Sequence, residues 1–319
     1  MLWRGNDLGL FVVGTVQLGV PYGIANVLGK PAYADARSLI DCALAGGVIA
    51  FDTAQAYGDS ETVLGEVLGE MSVADDVLLM TKAHMGVFAT EAESLEALEG
   101  SLGRLKVRRV FALLDHGFSP LPSAQDRVQK TFRFLKAEGL VACTGVSVYS
   151  GREALSALAL SEVDIVQMPL NVFDRQAVVE GVIDRARSLD KLLIFRSVYL
   201  QGLLTMSACQ LSGQMSFASD AVAAWQQLCA QAGLSQSFAA LQIARRLADG
   251  FPLVIGAESA AQVKDNIACM HQALPDLDRL IELTKPLWQT ADERLRNPAL
   301  WGAAKPAVGA GRAQAGRED

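Results

Sequence analysis

A parallel (β/α)8 TIM barrel in a single domain is the fold this chain predicts. Three observations lead there. Strand-like and helix-like segments alternate from Leu10 to Met270 and count to eight β/α units. The strand-like runs are short and almost continuously apolar, the pattern of strands covered on both faces. Polar side chains suited to chemistry gather at the ends of those runs, where a barrel of this kind builds its site.

The elements follow in order. Leu10–Val16 is apolar and β-branched, and Ala36–Leu44 then places Leu39, Ile40, Ala43 and Leu44 on one helical face. Val48–Phe51 is a short apolar run that ends at Asp52. Thr62–Met71 repeats apolar residues at helical spacing, and Val77–Met80 is a third strand. Ala92–Leu105 carries Leu95, Leu98, Leu102 and Leu105 as an amphipathic helix before a fourth strand, Val110–Leu114. Ala124–Glu138 reads as a helix that Gly139 can cap in a left-handed conformation. Strands five to seven are Val141–Val146, Val163–Gln167 and Leu192–Phe195. Val178, Val179, Val182 and Ile183 give the helix between the last two its buried side. Two helices, Ala221–Ala230 and Ser235–Ala248, precede strand eight, Leu253–Ile255, and Ala260–Met270 closes the set. The rival fold, an open doubly wound sheet, calls for a glycine-rich G-x-G-x-x-G turn after the first strand, and the sequence has none there.

Residues 1–295 form the barrel in this reading. Residues 296–319, rich in Ala, Gly, Pro and Arg, read as a mobile tail in which Trp301 is the one candidate for local docking. Leu8–Val20 imitates a signal peptide, but Asp7 and Gln17 interrupt it, and it reads as a first strand.

The 319 residues are 51% hydrophobic and 20% charged, ordinary globular composition with ample chain for a core. A formal charge of -7 without a long basic run makes nucleic acid and anionic membrane poor partners. No stretch approaches the roughly 18 apolar residues of a membrane span. Five scattered cysteines without CxxC spacing suggest reduced thiols, and the expected location is the cytoplasm. No cluster of ligands has metal-site spacing. The oligomeric state is open, a monomer included.

Asp52, Tyr57, Lys82 and His116 lie at or just after three successive strand ends. A tyrosine has a pKa near 10 in water, so it is a reluctant acid. An ammonium close by lowers that value, and Lys82 on a neighbouring strand can supply it. Lys82, partly buried, needs a counter-ion, which Asp52 provides. His116 can share a hydrogen bond with a substrate oxygen. The set is a proton donor aimed at an oxygen that becomes an alkoxide. None of the four gives a hydride, so a nicotinamide partner is implied. Taken singly, each has a plain structural role: a rim aromatic, a solvated strand end, a turn cap, a core histidine. Their joint placement is what favours chemistry. His84 and His271 lack that support and read as structural, with His84 at the cleft rim.

Phe51-Asp52-Thr53-Ala54-Gln55-Ala56-Tyr57-Gly58, continued by Ser60-Glu61 and Leu64-Gly65, resembles the FDTA-x-x-YG segment of the aldo-keto reductases. Lys82 and His116 match the rest of that family's Asp-Tyr-Lys-His tetrad. The resemblance runs from about Leu8 to about Met270. It implies an (α/β)8 barrel, reduction of a small-molecule carbonyl by NAD(P)H with Tyr57 as proton donor, and a cofactor extended across the barrel mouth. It also implies cofactor contacts from Gly14 and Thr15 on the first strand, from Asp52, and from Ser147 and Gln167 to the carboxamide. Arg196 and Ser197 fall where the family stacks a residue on the nicotinamide, and Gly256, Gln262 and Asn266 on its adenosine side. Tyr22, Tyr57 and His116 would face substrate, with His84, Phe118 and Tyr199 as further pocket candidates.

The sequence departs from the family at three places. Val148 stands where many members have asparagine. Arg196 replaces an aromatic at the stacking position, although a guanidinium plane can stack on a ring. Near Gly256 and Gln262 the cations that grip a 2′-phosphate are missing, and Lys264 would point elsewhere. NADP(H) is favoured by the family's habit, with NAD(H) open. Gln167–Asn171 and Arg196–Gly202 look like a bacterial branch found beside sugar and polysaccharide biosynthesis, which suggests a sugar-like carbonyl. Two other functions stay open: a redox-sensing or regulatory protein that binds nicotinamide with little turnover, and a non-redox lyase or epimerase.

Overall fold

Eight parallel strands close on themselves in the computed structural model of the protein, which describes residues 1–88 and 90–301. A short hairpin, β1 (Leu2–Trp3) and β2 (Asn6–Asp7), comes first. The barrel strands are β3 (Phe11–Gly14), β4 (Ala50–Asp52), β5 (Leu78–Ala83), β6 (Val110–Asp115), β7 (Val141–Ser147), β8 (Ile165–Pro169), β9 (Leu192–Arg196) and β10 (Leu253–Gly256). Each lies beside the next in sequence, and β10 returns to β3 with Leu253 opposite Phe11 and Gly256 opposite Gly14. The barrel architecture expected from the eight β/α units is therefore the one observed.

Polar strand ends explain where the strand limits differ from the expected ones. β5 and β6 run on through Thr81-Lys82-Ala83 and Asp115, because side chains at the C-terminal end of a barrel strand face a site rather than a core. β3 is shorter than the apolar run suggests, since Val16–Gly19 turns into one helical turn. The helix expected around Val178–Ile183 is broken. Gly181 takes φ +70°, a left-handed conformation open to glycine, and separates Gln176–Val179 from Val182–Ser188. Val182 and Ile183 are buried as expected, but Val178 and Val179 are exposed.

The hairpin closes the bottom of the barrel. Trp3 is buried, its Nε1 donates to the Asp190 carbonyl at 3.3 Å, and Arg4 pairs with Asp164 at 2.7 Å just before β8. The opposite, C-terminal ends of the strands are thereby left as the open mouth.

A second apolar cluster lies beside the barrel. Trp225, Val222 and Cys229 of helix Ser219–Gln231 meet Ala239, Ala240 and Ile243 of helix Gln236–Leu247, together with Phe173, Leu200 and Leu280. Buried Arg175 fastens the helix Leu277–Leu283 to this cluster through the Ile281 carbonyl (3.1 Å) and the Thr284 hydroxyl, near the helix's negative C-terminal end. Trp301 docks here too, buried and donating to the Arg294 carbonyl at 2.6 Å. Of the segment read as a tail, residues 302–319 lie outside the described residues. No helix among the described residues is long and apolar enough to cross a membrane.

Asp174, in the loop after β8, is buried, and burial pushes its carboxyl up to about 6 despite hydrogen bonds from Gln176 and the fields of Arg296 and Arg196. A carboxyl whose folded pKa is raised contributes stability that is complete below its unfolded pKa and is lost as pH rises through the folded value. Asp174→Asn is therefore expected to stabilise the protein at pH 7.5 by up to about 3 kcal/mol. The gain should vanish as pH falls toward 4. Thermal unfolding of the two proteins across that range measures it.

Candidate active site

The tyrosine is placed by its turn. Thr53–Asp59 leaves β4 and enters helix Ser60–Glu70. The Gln55 amide donates to the Lys82 carbonyl at 2.9 Å, which ties this turn to β5, and Ser60 Oγ donates to the Thr15 carbonyl at 2.8 Å, which ties it to the segment after β3. Gly19 packs its backbone directly on the turn: a Cβ there would overlap the Tyr57 carbonyl oxygen at 1.6 Å. Gly58 takes φ +58° and its added Cβ would meet the Gly19 carbonyl at 2.5 Å. Two glycines in contact thus fix where Tyr57 stands.

Beneath the tyrosine a polar chain crosses the mouth. Lys82 Nζ donates to Asp52 Oδ2 at 2.5 Å and to the Thr53 carbonyl at 3.0 Å. Gln167 Nε2, from β8 across the barrel, donates to Asp52 Oδ1 at 2.8 Å. Both carboxylate oxygens are engaged, and Asp52, Lys82 and Gln167 are all buried. The Asp52 carbonyl accepts from both the backbone N–H (3.0 Å) and Oγ1 (3.0 Å) of Thr15. Lys82 Nζ sits 5.1 Å from the centre of the Tyr57 ring.

His116, just past β6, donates its backbone N–H to the Ala83 carbonyl at 2.8 Å and meets Tyr57 edge-on, with ring centres 5.7 Å apart. His84 stacks on His116 at 5.0 Å, closer to the chemistry than a rim role suggests. Its placement two residues past Lys82 is the signal for it in the sequence. Asp115, buried and adjacent to His116 in sequence, has its carboxyl raised by burial against hydrogen bonds from the N–H groups of Gly117 and Met85 and the field of His84.

The electrostatics correct one expectation. Burial pushes the Tyr57 phenol well above its ordinary range, and Asp52 adds to that; Arg196, rather than Lys82, is the cation that opposes it. The reason is the 2.5 Å pairing, because Asp52 cancels the charge of the ammonium beside the ring. Burial in turn pulls Lys82 below its ordinary value, against the raising effect of Asp52. Tyr22 lies near enough to Tyr57 and Arg196 to feel both, and burial raises its phenol as well.

At the end of β9, Arg196 donates to the Val148 carbonyl at 3.0 Å and to Ser197 Oγ at 3.2 Å, while its guanidinium lies 4.4 Å over the Tyr149 ring. Val148 thus anchors the arginine through its backbone. Ser197, Leu200 and Gln201 all have φ near +50 to +60°, three strained non-glycine positions within five residues. That segment bridges to the loop after β3, where the Ile24 amide donates to the Gln201 carbonyl at 2.9 Å.

The sequence model of the aldo/keto reductase family matches residues 11–279, which takes in the whole barrel. The chain belongs to this family. It is 29% identical over 175 residues to aldo-keto reductase YhdN of Bacillus subtilis, an alignment covering 52% of each chain. An aldo-keto reductase of Gibberella moniliformis is 25% identical over 195 residues, 59% of this chain and 58% of that one. The chain thus spans little more than half the length of these curated relatives. Two solved barrels superpose with TM-scores of 0.71 at 20% identity: the glycerol dehydrogenase AKR11B4 from Gluconobacter oxydans, covering 89% of this chain and 93% of that one, and AKR11C1 from Bacillus halodurans, covering 90% and 95%. At that identity they speak for the fold.

An aldo/keto reductase holds a nicotinamide dinucleotide, and the residues present suit one. Gln167 Oε1 is buried with no hydrogen-bond partner among the described residues, an acceptor fit for a carboxamide N–H. Ser147 is beside it, paired with Gln167 in the β7–β8 register. Gly14 and Gly256 pair on neighbouring strands, where a Cβ on Gly256 would collide with the Gln17 amide at 2.5 Å. Farther out, Gln262 and Asn266 sit on helix Ala260–His271, away from the tetrad. Gln262 accepts from the Glu258 N–H at 2.8 Å, and Asn266 accepts from Tyr199 Oη at 2.6 Å. Tyr199 is therefore turned toward helix Ala260–His271. Half-buried Glu258 stands in the loop between β10 and helix Ala260–His271, and burial raises its carboxyl.

Proposed function

We propose that this protein is an oxidoreductase that reduces an aldehyde or ketone to an alcohol, with Tyr57 as general acid. The observation that carries the reading is the Lys82–Asp52–Gln167 chain beneath Tyr57, with the buried Gln167 Oε1 left as an open acceptor. A bound reduced nicotinamide supplies the hydride. Gln167, Ser147, Arg196 and Ser197 are the residues proposed to hold its ring end, and Gly14, Thr15, Asp52, Gly256, Gln262 and Asn266 the remainder. Tyr22 and His116, with Tyr57, would border the substrate.

The raised phenol suits this role. Tyr57 stays protonated throughout neutral pH and gives its proton only to a stronger base. An alkoxide is such a base, since its conjugate acid is close to water at roughly 15.7. The O–H bond of Tyr57 breaks as the carbonyl oxygen takes the proton, and the phenolate left behind recovers one from solvent at the mouth. His116, edge-on to the ring, can donate to the same oxygen and hold it in line.

For the dinucleotide, Glu258 supports NAD(H) over NADP(H), because a carboxylate repels a 2′-phosphate and can instead bond a ribose hydroxyl. A sugar-like carbonyl rests on the Gln167–Asn171 and Arg196–Gly202 segments alone.

Fluorescence titration with NADH and NADPH, followed by turnover assays over a panel of aldehydes, ketones and open-chain sugars, tests the proposal. Binding with turnover is expected, with NADH held at least as tightly as NADPH. Dinucleotide binding with negligible rate on every carbonyl would favour a redox sensor, and no binding at millimolar concentration would refute the reading.

A further inference from the structure

We infer that Arg196 makes this mouth discriminate between the two redox states of its dinucleotide, holding the neutral reduced nicotinamide in preference to the cationic oxidised one. The inference rests on the functional reading above and adds to it a preferred loading state.

Charges around the mouth do not cancel. Lys82 and Asp52 neutralise each other at 2.5 Å, and the second Asp52 oxygen belongs to Gln167. Asp115 is turned to the N–H groups of Met85 and Gly117. Asp174 accepts from the backbone N–H and side-chain amide of Gln176. Arg196 remains: among the described residues it forms no ion pair, Asp174 lies within its longer-range field, and that field also reaches Tyr57, Tyr22 and Lys82.

The guanidinium is also held in place. Val148 and Ser197 take two of its N–H groups, and Tyr149 covers a face at 4.4 Å. It is half-buried, so solvent screens it incompletely. Its plane cannot swing out to water without breaking all three contacts. A fixed cation with no ion-pair partner, its nearest opposing charge being the longer-range field of Asp174, penalises any second positive charge brought there. The oxidised ring carries one and the reduced ring does not. For unit charges several ångströms apart in a partly screened site, the bias is on the order of tenfold in relative affinity. The consequence is a site loaded with the reduced form even when the oxidised form is abundant.

Titration of the full chain with NADH, NAD+, NADPH and NADP+, read by quenching of tryptophan fluorescence, tests this directly. The wild type should bind the reduced form more tightly, and Arg196→Met should narrow the oxidised-to-reduced Kd ratio about tenfold. Arg196→Lys should keep most of the preference, since it keeps the charge. A wild type that binds both forms equally overturns the inference without need of any variant. So does an unchanged ratio in Arg196→Met, or a loss in Arg196→Lys as complete as in the methionine variant. In each of those cases the dinucleotide still binds, so the functional reading stands. If the wild type binds no dinucleotide at millimolar concentration, that reading falls and this inference with it.

Discussion

Replacing Tyr57 with phenylalanine is expected to lower kcat by about 10³-fold or more, while the Kd for reduced dinucleotide moves by less than about threefold. A positioned general acid typically contributes 10²- to 10⁴-fold, and His116, which meets Tyr57 edge-on, holds the substrate oxygen rather than supplying the proton in this account. The ring itself keeps its packing: phenylalanine preserves the edge-on meeting with His116 and the seat above Lys82. Nothing in the Lys82–Asp52–Gln167 chain depends on the hydroxyl. Steady-state kinetics and fluorescence titration on one preparation separate the two effects. A variant that turns over near the wild-type rate would remove Tyr57 from the chemistry.

Asp52→Ala should be the most destabilising single change in the mouth. It strands a buried ammonium and removes the acceptor of the Gln167 amide. Breaking a buried pair from one side costs about 3–5 kcal/mol. For a domain of this size that is a fall in Tm on the order of 10 °C. Activity should vanish with it. The double variant Asp52→Leu with Lys82→Met should recover most of the lost stability, because both charges are gone, and yet stay inactive. Thermal unfolding followed by circular dichroism decides. A single variant within 1 kcal/mol of wild type would mean that Lys82 finds another partner or sheds its proton.

Much of the barrel is legible in the sequence because its strands are buried on both faces. Apolar runs such as Val110–Leu114 and Leu192–Phe195 need no partner information to be recognised. Their ends are harder. Lys82 and Asp115 are polar, so an apolar-run reading stops short of them, although both lie inside strands. The short hairpin at Leu2–Asp7 is missed for the opposite reason. Two-residue strands carry no periodicity, and the turn between them rests on Arg4 at φ +45° and Gly5 at φ +81°. The break at Gly181 depends on a single left-handed residue within an otherwise regular helical pattern.

For the site, spacing alone brings Asp52, Tyr57, Lys82 and His116 to neighbouring strand ends, since order along the chain is order around the barrel. What spacing cannot give is charge balance. That Asp52 is shared between Lys82 and Gln167, residues 30 and 115 positions away, is a fact of three dimensions. It offsets the expected influence of Lys82 on the phenol, which burial and Asp52 raise while Arg196 opposes them. The stacking of His84 on His116 and the reach of Tyr199 to Asn266 are likewise contacts between distant segments; the spacing of His84 from Lys82 hints at the first, and nothing local gives the second.

The most direct test supplies the protein with NADH or NADPH deuterated at the transferable C4 position, together with a carbonyl that it turns over, and examines the alcohol by mass spectrometry. One deuterium on the former carbonyl carbon is the predicted outcome, lost in step with turnover in Tyr57→Phe. An alcohol formed without the label, or no alcohol from a protein that binds the dinucleotide, would contradict the account.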